Sequence, residues 1–473
     1  MVAIGAPSRV RASRGVYLAA GGILLAAVLV RLPYFWWPIT TDEGGYALGA
    51  YWWSRGVTLY SHDLWFDRPQ GIFVAYRLGM ALLGDGVGAI RLWGALWFGA
   101  CALGVWQLGR SMLGEREALL AALLTVVACA SPWVEGFTAN AEAFMVAATT
   151  ASALLAWRGR FGLAGLAGGM AVMLKPSGGA ALALCLVWLI QERASLRDWV
   201  ICGSMGALPI VAGVIHGWAT VGLEPYLDAA ILFRLTHPVP DQLDRFVTGI
   251  GNTMWVTLPL AVLATAGMAR LERRARAFCL AWLGVSIAGV AMGGNWWPHY
   301  FVQVVPPLAL PAGALLGGVG RARRFPALAS LTIVAALLAM PVALYASLGP
   351  SGGTDALYGR AGLLVEDEIG TWIRAHAAPD DRIYVAFSEP GLNYYARRLS
   401  VIPWLYIQQL TDIERAFPEV MRAVRDGEPR YVVLVDDGPH YRAAFERIYV
   451  AMGDRYEVVR DYEGATVYER RDP

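Results

Sequence analysis

The sequence predicts a polytopic α-helical membrane protein of about eleven transmembrane helices followed by a small α/β domain. Of its 473 residues, 57% are hydrophobic and 16% are charged. Apolar runs recur as far as Leu348, and the charges are gathered into short loops and the region beyond it. Such segregation is that of a chain whose solvent is mostly lipid. The net charge of +2 carries little information for that reason, and nucleic acid is not an expected partner.

The segments expected to span are residues 16–37, 88–109, 117–134, 140–157, 161–174, 177–191, 199–220, 249–270, 276–293, 299–320 and 325–347. The first has no small-residue cleavage site after it, which suits a retained signal anchor. Arginines set the orientation, because cytoplasmic loops carry the positive excess. Arg9, Arg11 and Arg14 precede the first span, and Arg110, Arg116, Arg158, Arg160, Arg193, Arg197, Arg270, Arg273, Arg274, Arg276, Arg321, Arg323 and Arg324 fill later short loops. An odd number of crossings then leaves the N-terminus in the cytoplasm and the C-terminal domain outside. Gly71 to Gly84 is expected to dip in without crossing, since fourteen residues make only about 21 Å of helix against a hydrocarbon core of roughly 30 Å.

The outer face then collects the loop from Pro38 to Gln70, the turn Glu135 to Glu142, the turn Lys175 to Gly179, the loop Gly222 to Thr248 and the segment Gly294 to Tyr300. In the first of these, Tyr46 to Trp53 is rich in aromatics at helical spacing and is expected to lie along the interface as an amphipathic helix roofing a pocket. Gly349 to Gly353 is expected to link residues 1–348 to the polar domain 349–473. In that domain Val365 to Ala375 has a helical pattern, and Arg382 to Phe387, Tyr431 to Val435, Tyr456 to Val459 and Ala465 to Tyr468 have strand patterns. Cys101, Cys129, Cys185, Cys202 and Cys279 all lie in or beside apolar segments without metal-ligand spacing, so neither disulfides nor a zinc site are expected.

Charged residues at a bilayer edge are costly and therefore informative. The first span runs directly into Thr41-Asp42-Glu43-Gly44-Gly45-Tyr46, and the same loop ends in Asp67-Arg68-Pro69-Gln70-Gly71. Lys175, the one lysine beside 38 arginines, stands in a turn between two apolar runs, and His299-Tyr300 opens a proline-rich span. Together these motifs resemble those of the GT-C superfamily of integral membrane glycosyltransferases, and most closely the branch of protein O-mannosyltransferases and lipid A aminoarabinose transferases. The similarity covers roughly the first 350 residues and is most specific over 40–110.

This resemblance implies transfer of a sugar from a polyprenyl-phosphate donor to a lipid, glycan or protein acceptor hydroxyl on the outer side of the membrane, by direct displacement with inversion. No cofactor or metal is required, and the Arg- and Ala-rich composition suits the plasma membrane of a bacterium with a GC-rich genome. Such transfer needs a base for the acceptor proton and fixed cations for the departing phosphate. The resemblance assigns the base to Asp42; the alternative is a helix cap. Glu43 either orients the reactants or fills the first turn of a helix. Arg68 can grip phosphate bidentately, or pair with Asp67 to pin the loop, and the Asp67-Arg68 spelling departs from the family's usual one. Lys175 is expected on the same phosphate or snorkelling at the turn, with His299 and Tyr300 on the phosphate as well. Tyr46, Asp67 and Glu142 are candidate substrate contacts, and Arg91 is a candidate for phosphate or lipid headgroups. His216 and His237 are expected to be ordinary, and Trp296 and Trp297 to form an interfacial belt. The competing readings are a transporter or flippase of a lipid-linked sugar and a noncatalytic scaffold. A transporter would place charge at the midplane and usually carry a repeat.

Overall fold

Each expected span coincides with helix in the computed structural model, which describes residues 14–237, 239, 241–319, 325–359, 362–387, 389–435 and 442–471. Arg9, Arg11, Arg321, Arg323 and Arg324 lie outside the described residues. The bundle comprises α1 (Arg14–Leu29), α4 (Val87–Met112), α5 (Glu115–Ala128), α6 (Ala141–Trp157), α7 (Phe161–Leu174), α8 (Gly179–Gln191), α9 (Leu196–Val221), α12 (Gln242–Met268), α13 (Arg273–Ala291), α14 (Val305–Val319) and α15 (Phe325–Tyr358). Among the described residues six segments are long and apolar enough to cross a bilayer on their own: Arg14–Tyr34, Val87–Met112, Leu196–Val221, Gln242–Met268, Arg273–Ala291 and Pro298–Gly318. α6 and α7 are shorter, and α6 is buried along almost its whole length in the middle of the bundle. The segment expected to dip forms α3 (Gly71–Leu83), a 13-residue helix.

α2 (Thr41–Trp53) follows the first span, and here the structure corrects the sequence. The helix does not lie exposed along the interface: Glu43 to Ala50 are all buried. Glycines permit this, because a Cβ at Gly44 would come within 2.5 Å of the Gly391 backbone, and one at Gly45 would strike the Tyr406 hydroxyl. The C-terminal domain therefore sits directly on α2, leaving no room for a methyl group. Gly44→Ala is expected to loosen this contact without unfolding the bundle. Limited proteolysis should cut the variant's C-terminal domain faster than wild type, and equal rates would show that the contact is slack.

The expected linker is also corrected. Gly349 adopts φ 68° and kinks the chain, but Pro350 restarts a helix that runs to Tyr358. Gly353 packs against the indole of Trp37. The segment is a packed helix and not a flexible tether.

Beyond it come α16 (Gly362–His376), β1 (Ile383–Ala386), α17 (Pro390–Ala396), α18 (Ile407–Asp412), α19 (Ala416–Asp426), β2 (Tyr431–Val435), α20 (Arg442–Met452), β3 (Tyr456–Tyr462) and β4 (Ala465–Arg470). The sheet has the order β1-β2-β4-β3, with β1 parallel to β2 and the other pairs antiparallel. All five residues of β2 are buried, as expected of a central strand covered on both faces. The four expected strands are present. The helices α17 and α18, which touch the bundle, were not expected.

Candidate active site

The N-terminus of α2 separates the two acids that adjoin in sequence. Thr40 is the N-cap, and its backbone N–H and hydroxyl donate to Glu43 Oε2 at 3.0 and 3.1 Å, forming a capping box. Glu43 also accepts from Arg91 Nε at 3.2 Å and Nη2 at 3.0 Å and from the Ala139 N–H at 2.7 Å. Both side chains of the Glu43–Arg91 pair are fully buried. Arg91 further donates to the carbonyls of Tyr34 and, at 2.5 Å, Pro38. Two expectations are corrected here. Glu43 has no lone pair left for a reactant, and Arg91 reaches neither phosphate nor headgroup; the pair ties α2, α4 and the turn before α6 together.

Asp42 is one position earlier and faces the other way, with its side chain 24% exposed. The cap expected as its alternative role is held by Thr40 and Glu43 instead. Asn140 Nδ2 donates to Asp42 Oδ2 at 3.2 Å, and His299 Nε2 stands 3.8 Å from the same oxygen. Burial alone would raise the Asp42 carboxyl, but the opposing fields of Arg68, His299 and Lys175 hold it below its ordinary value. His299 is positioned from its far side by Glu135, whose Oε2 lies 2.7 Å from Nδ1. Neither Glu135 nor Asn140 was singled out in the sequence.

Lys175 does not snorkel. It is buried, paired with Glu142 Oε1, and its Nζ stands 3.8 Å from the centroid of the Tyr300 ring. The His299 and Tyr300 rings pack edge-on at 5.0 Å. Asp42, His299, Tyr300, Lys175 and Glu142 therefore form one continuous cluster, assembled from α2, the turn Pro298–Val304, the α7–α8 turn and α6.

Arg68 completes the cluster beside a cleft of about 270 Å³. Its Nη1 donates to Asp67 Oδ2 at 2.7 Å, while Asp67 also pairs with Arg234 and accepts from Gln409 Nε2 at 3.5 Å. Asp67 lines the cleft and is also an anchor, held between two arginines, whose fields overcome burial and keep its carboxyl below the usual range. Arg234, from α11 (Phe233–Thr236), was missed; it also donates to Gln408 Oε1 at 2.6 Å. α18 of the C-terminal domain thereby holds both walls of the cleft. Tyr46 is buried near Arg68 and Asp42, and burial raises its phenol well above the usual value. Tyr406 is brought onto the same helix by Gly45.

Arg68, Lys175 and Arg234 line the cleft with Tyr300, and its remaining wall is largely apolar: Val172, Met173, Ile210, Val214, Ile231 and Leu235. His237, expected to be ordinary, also lines it, whereas His216 Nδ1 accepts from Gln70 Nε2 at 3.3 Å outside it. A cationic end continuous with an apolar channel suits a phosphate carrying a hydrocarbon tail. Because Asp67 keeps Arg234 as a partner, Arg68→Met is expected to fold and to raise the KM for a lipid-phosphate donor about 10- to 100-fold, the worth of a charged hydrogen bond. An unchanged donor KM would remove Arg68 from phosphate binding. Among the described residues no three His, Cys, Asp or Glu side chains form a group able to hold a metal ion.

Residues 67–216 match the family model described as dolichyl-phosphate-mannose-protein mannosyltransferase. Among solved structures, ArnT from Cupriavidus metallidurans bound to undecaprenyl phosphate superposes with a TM-score of 0.62 at 16% identity, covering 97% of this chain and 98% of that one. Its apo state gives 0.61 at 17%, covering 95% and 98%. The apo oligosaccharyltransferase of Archaeoglobus fulgidus gives 0.58 at 12%, covering 93% of this chain and 72% of that one. No curated protein matches the chain. At these identities the likeness shows the fold: this chain has the fold shared by ArnT and the oligosaccharyltransferase.

Proposed function

We propose that the protein transfers a sugar from a polyprenyl-phosphate donor to an acceptor hydroxyl at the outer surface of a bacterial plasma membrane, with Asp42 as general base. The observation that carries this reading is one partly exposed carboxylate, Asp42, within the field of Arg68 and Lys175, the cations that end an apolar cleft. Asp42 takes the acceptor's proton as the acceptor oxygen bonds to the anomeric carbon. The bond from that carbon to the phosphate oxygen breaks, and the phosphate leaves with the electron pair toward Arg68, Lys175 and Arg234. A single displacement of this kind inverts the anomeric centre and leaves no sugar on the enzyme. The eleven-crossing topology and the outward C-terminal domain belong to the same reading. The order of the helices, with Arg110, Arg158, Arg160 and Arg274 at the end of the bundle away from the cleft, supports it.

Reconstituted protein supplied with polyprenyl-phosphate sugars and envelope acceptors tests the proposal. Release of polyprenyl phosphate with a stereochemically inverted product is expected. Movement of intact donor across the membrane without release would favour a flippase. The pH profile has a definite sign. Asp42 must be deprotonated to act and its carboxyl is held below the ordinary aspartate value of 3.8, so the acid limb due to this group is expected below that value. Transfer measured down the acid range checks this, and an Asp42-dependent limb near neutrality would contradict it.

A further inference from the structure

The turn that supplies Glu135 is built with unusual firmness. Pro132 opens it as a single 3₁₀ turn (Pro132–Val134), and Glu135 follows with φ 49° and ψ 28°. The left-handed region is disfavoured for a residue with a long side chain, and such strain gathers where a side chain must be aimed. Arg31, fully buried, clamps the turn from beneath: Nε donates to Gly136 O at 2.8 Å and Nη2 to Cys129 O at 2.7 Å. The Thr138 hydroxyl donates to Glu135 O at 2.8 Å. Every one of these bonds goes to backbone, so the carboxylate of Glu135 is left to His299.

His299 in turn has two carboxylates on its two nitrogens, Glu135 at Nδ1 and Asp42 at Nε2. An ionised carboxylate only accepts, so Nδ1 carries a proton toward Glu135. On the Asp42 side, Asn140 and His299 both approach Oδ2, and no described residue bonds Oδ1.

We propose that Glu135 is a positioning residue: it fixes the orientation and protonation of His299, which with Asn140 engages Asp42 Oδ2 and so presents Oδ1 to the acceptor hydroxyl. The inference rests on Asp42 being the base of the proposed transfer. It assigns that base a side: the acceptor meets Asp42 at Oδ1, the oxygen that Asn140 and His299 do not approach, while Arg68, Lys175 and Arg234 face the phosphate. The charged and titratable groups facing this relay are Asp42, Glu142, Lys175 and Tyr300 around His299, and Tyr358 beside Glu135.

The test has two arms on the full-length protein. In the first, Glu135→Gln is expected to lower kcat on the order of 10- to 100-fold, within what an aligned base contributes, with the donor KM unchanged. In a His299→Gln background, Glu135→Gln should have no further effect. Effects that multiply, or a fall in kcat accompanied by an equal rise in the donor KM, would overturn the proposal. The second arm needs no turnover: ¹⁵N NMR of labelled histidine, assigned with His299→Gln, should show Nδ1 of His299 protonated in wild type and altered in Glu135→Gln. A His299 signal indifferent to Glu135 overturns the inference whatever the activity. Wild-type protein that transfers no sugar but shows the expected NMR change would instead sink only the glycosyl reading.

Discussion

Asp42→Asn is expected to lower the rate of sugar transfer by about 10² to 10⁴, the contribution of a positioned general base, while leaving donor binding intact. Asparagine fills the same space, and neither the N-cap nor the capping box depends on position 42, since Thr40 and Glu43 supply them. The Arg68, Lys175 and Arg234 cations line the cleft without Asp42, so affinity for the lipid phosphate should survive. The measurement is single-turnover transfer together with equilibrium binding of polyprenyl phosphate. Full turnover would remove Asp42 from the chemistry. Loss of binding as well would place it in ground-state recognition. Either result would detach the acid from the role its exposure and neighbours support.

The second large effect concerns stability. Arg91→Met is expected to destabilise the fold by about 3–5 kcal/mol, because it leaves the Glu43 carboxylate buried without its countercharge. Both side chains of that pair are fully buried. Glu43→Gln in the same chain should recover much of the loss, since a neutral amide needs no partner charge. Thermal unfolding in a fixed detergent reads both variants. A double variant no more stable than Arg91→Met alone would mean that the arginine's bonds to the Tyr34 and Pro38 carbonyls, and not its charge, are what the fold requires.

These two residues show what the sequence made legible. The spans, the four strands and the positions of Asp42, Tyr46, Arg68, Lys175, Glu142, His299 and Tyr300 stood out because polar groups among apolar neighbours need a reason. Their partners did not stand out. Whether Glu43 reacts or anchors depends on Arg91 and Ala139, brought to it by helices α4 and α6, and nothing local to Asp42-Glu43 distinguishes the two acids. Asp67 has the same history, with Arg234 and Gln409 arriving from distant segments. Glu135 and Asn140 lay in a turn that was noticed only as polar. The signal there was an acid ahead of Gly136, which needs the left-handed backbone to be seen. The burial of α2 was hidden as well, because its aromatics gave an amphipathic pattern while its glycines, which admit the C-terminal domain, are silent in such a pattern.

The isolation of Lys175 has a chemical consequence. Apart from the α-amino group, its ε-amine is the single primary amine of the whole chain, and it lies under Tyr300 against Glu142 at the mouth of the cleft. Acylating reagents therefore have one internal target, and because that target is buried and paired with Glu142, its labelling is a gauge of how far this part of the cleft opens. The chain thus carries its own reporter, built from the only lysine it has.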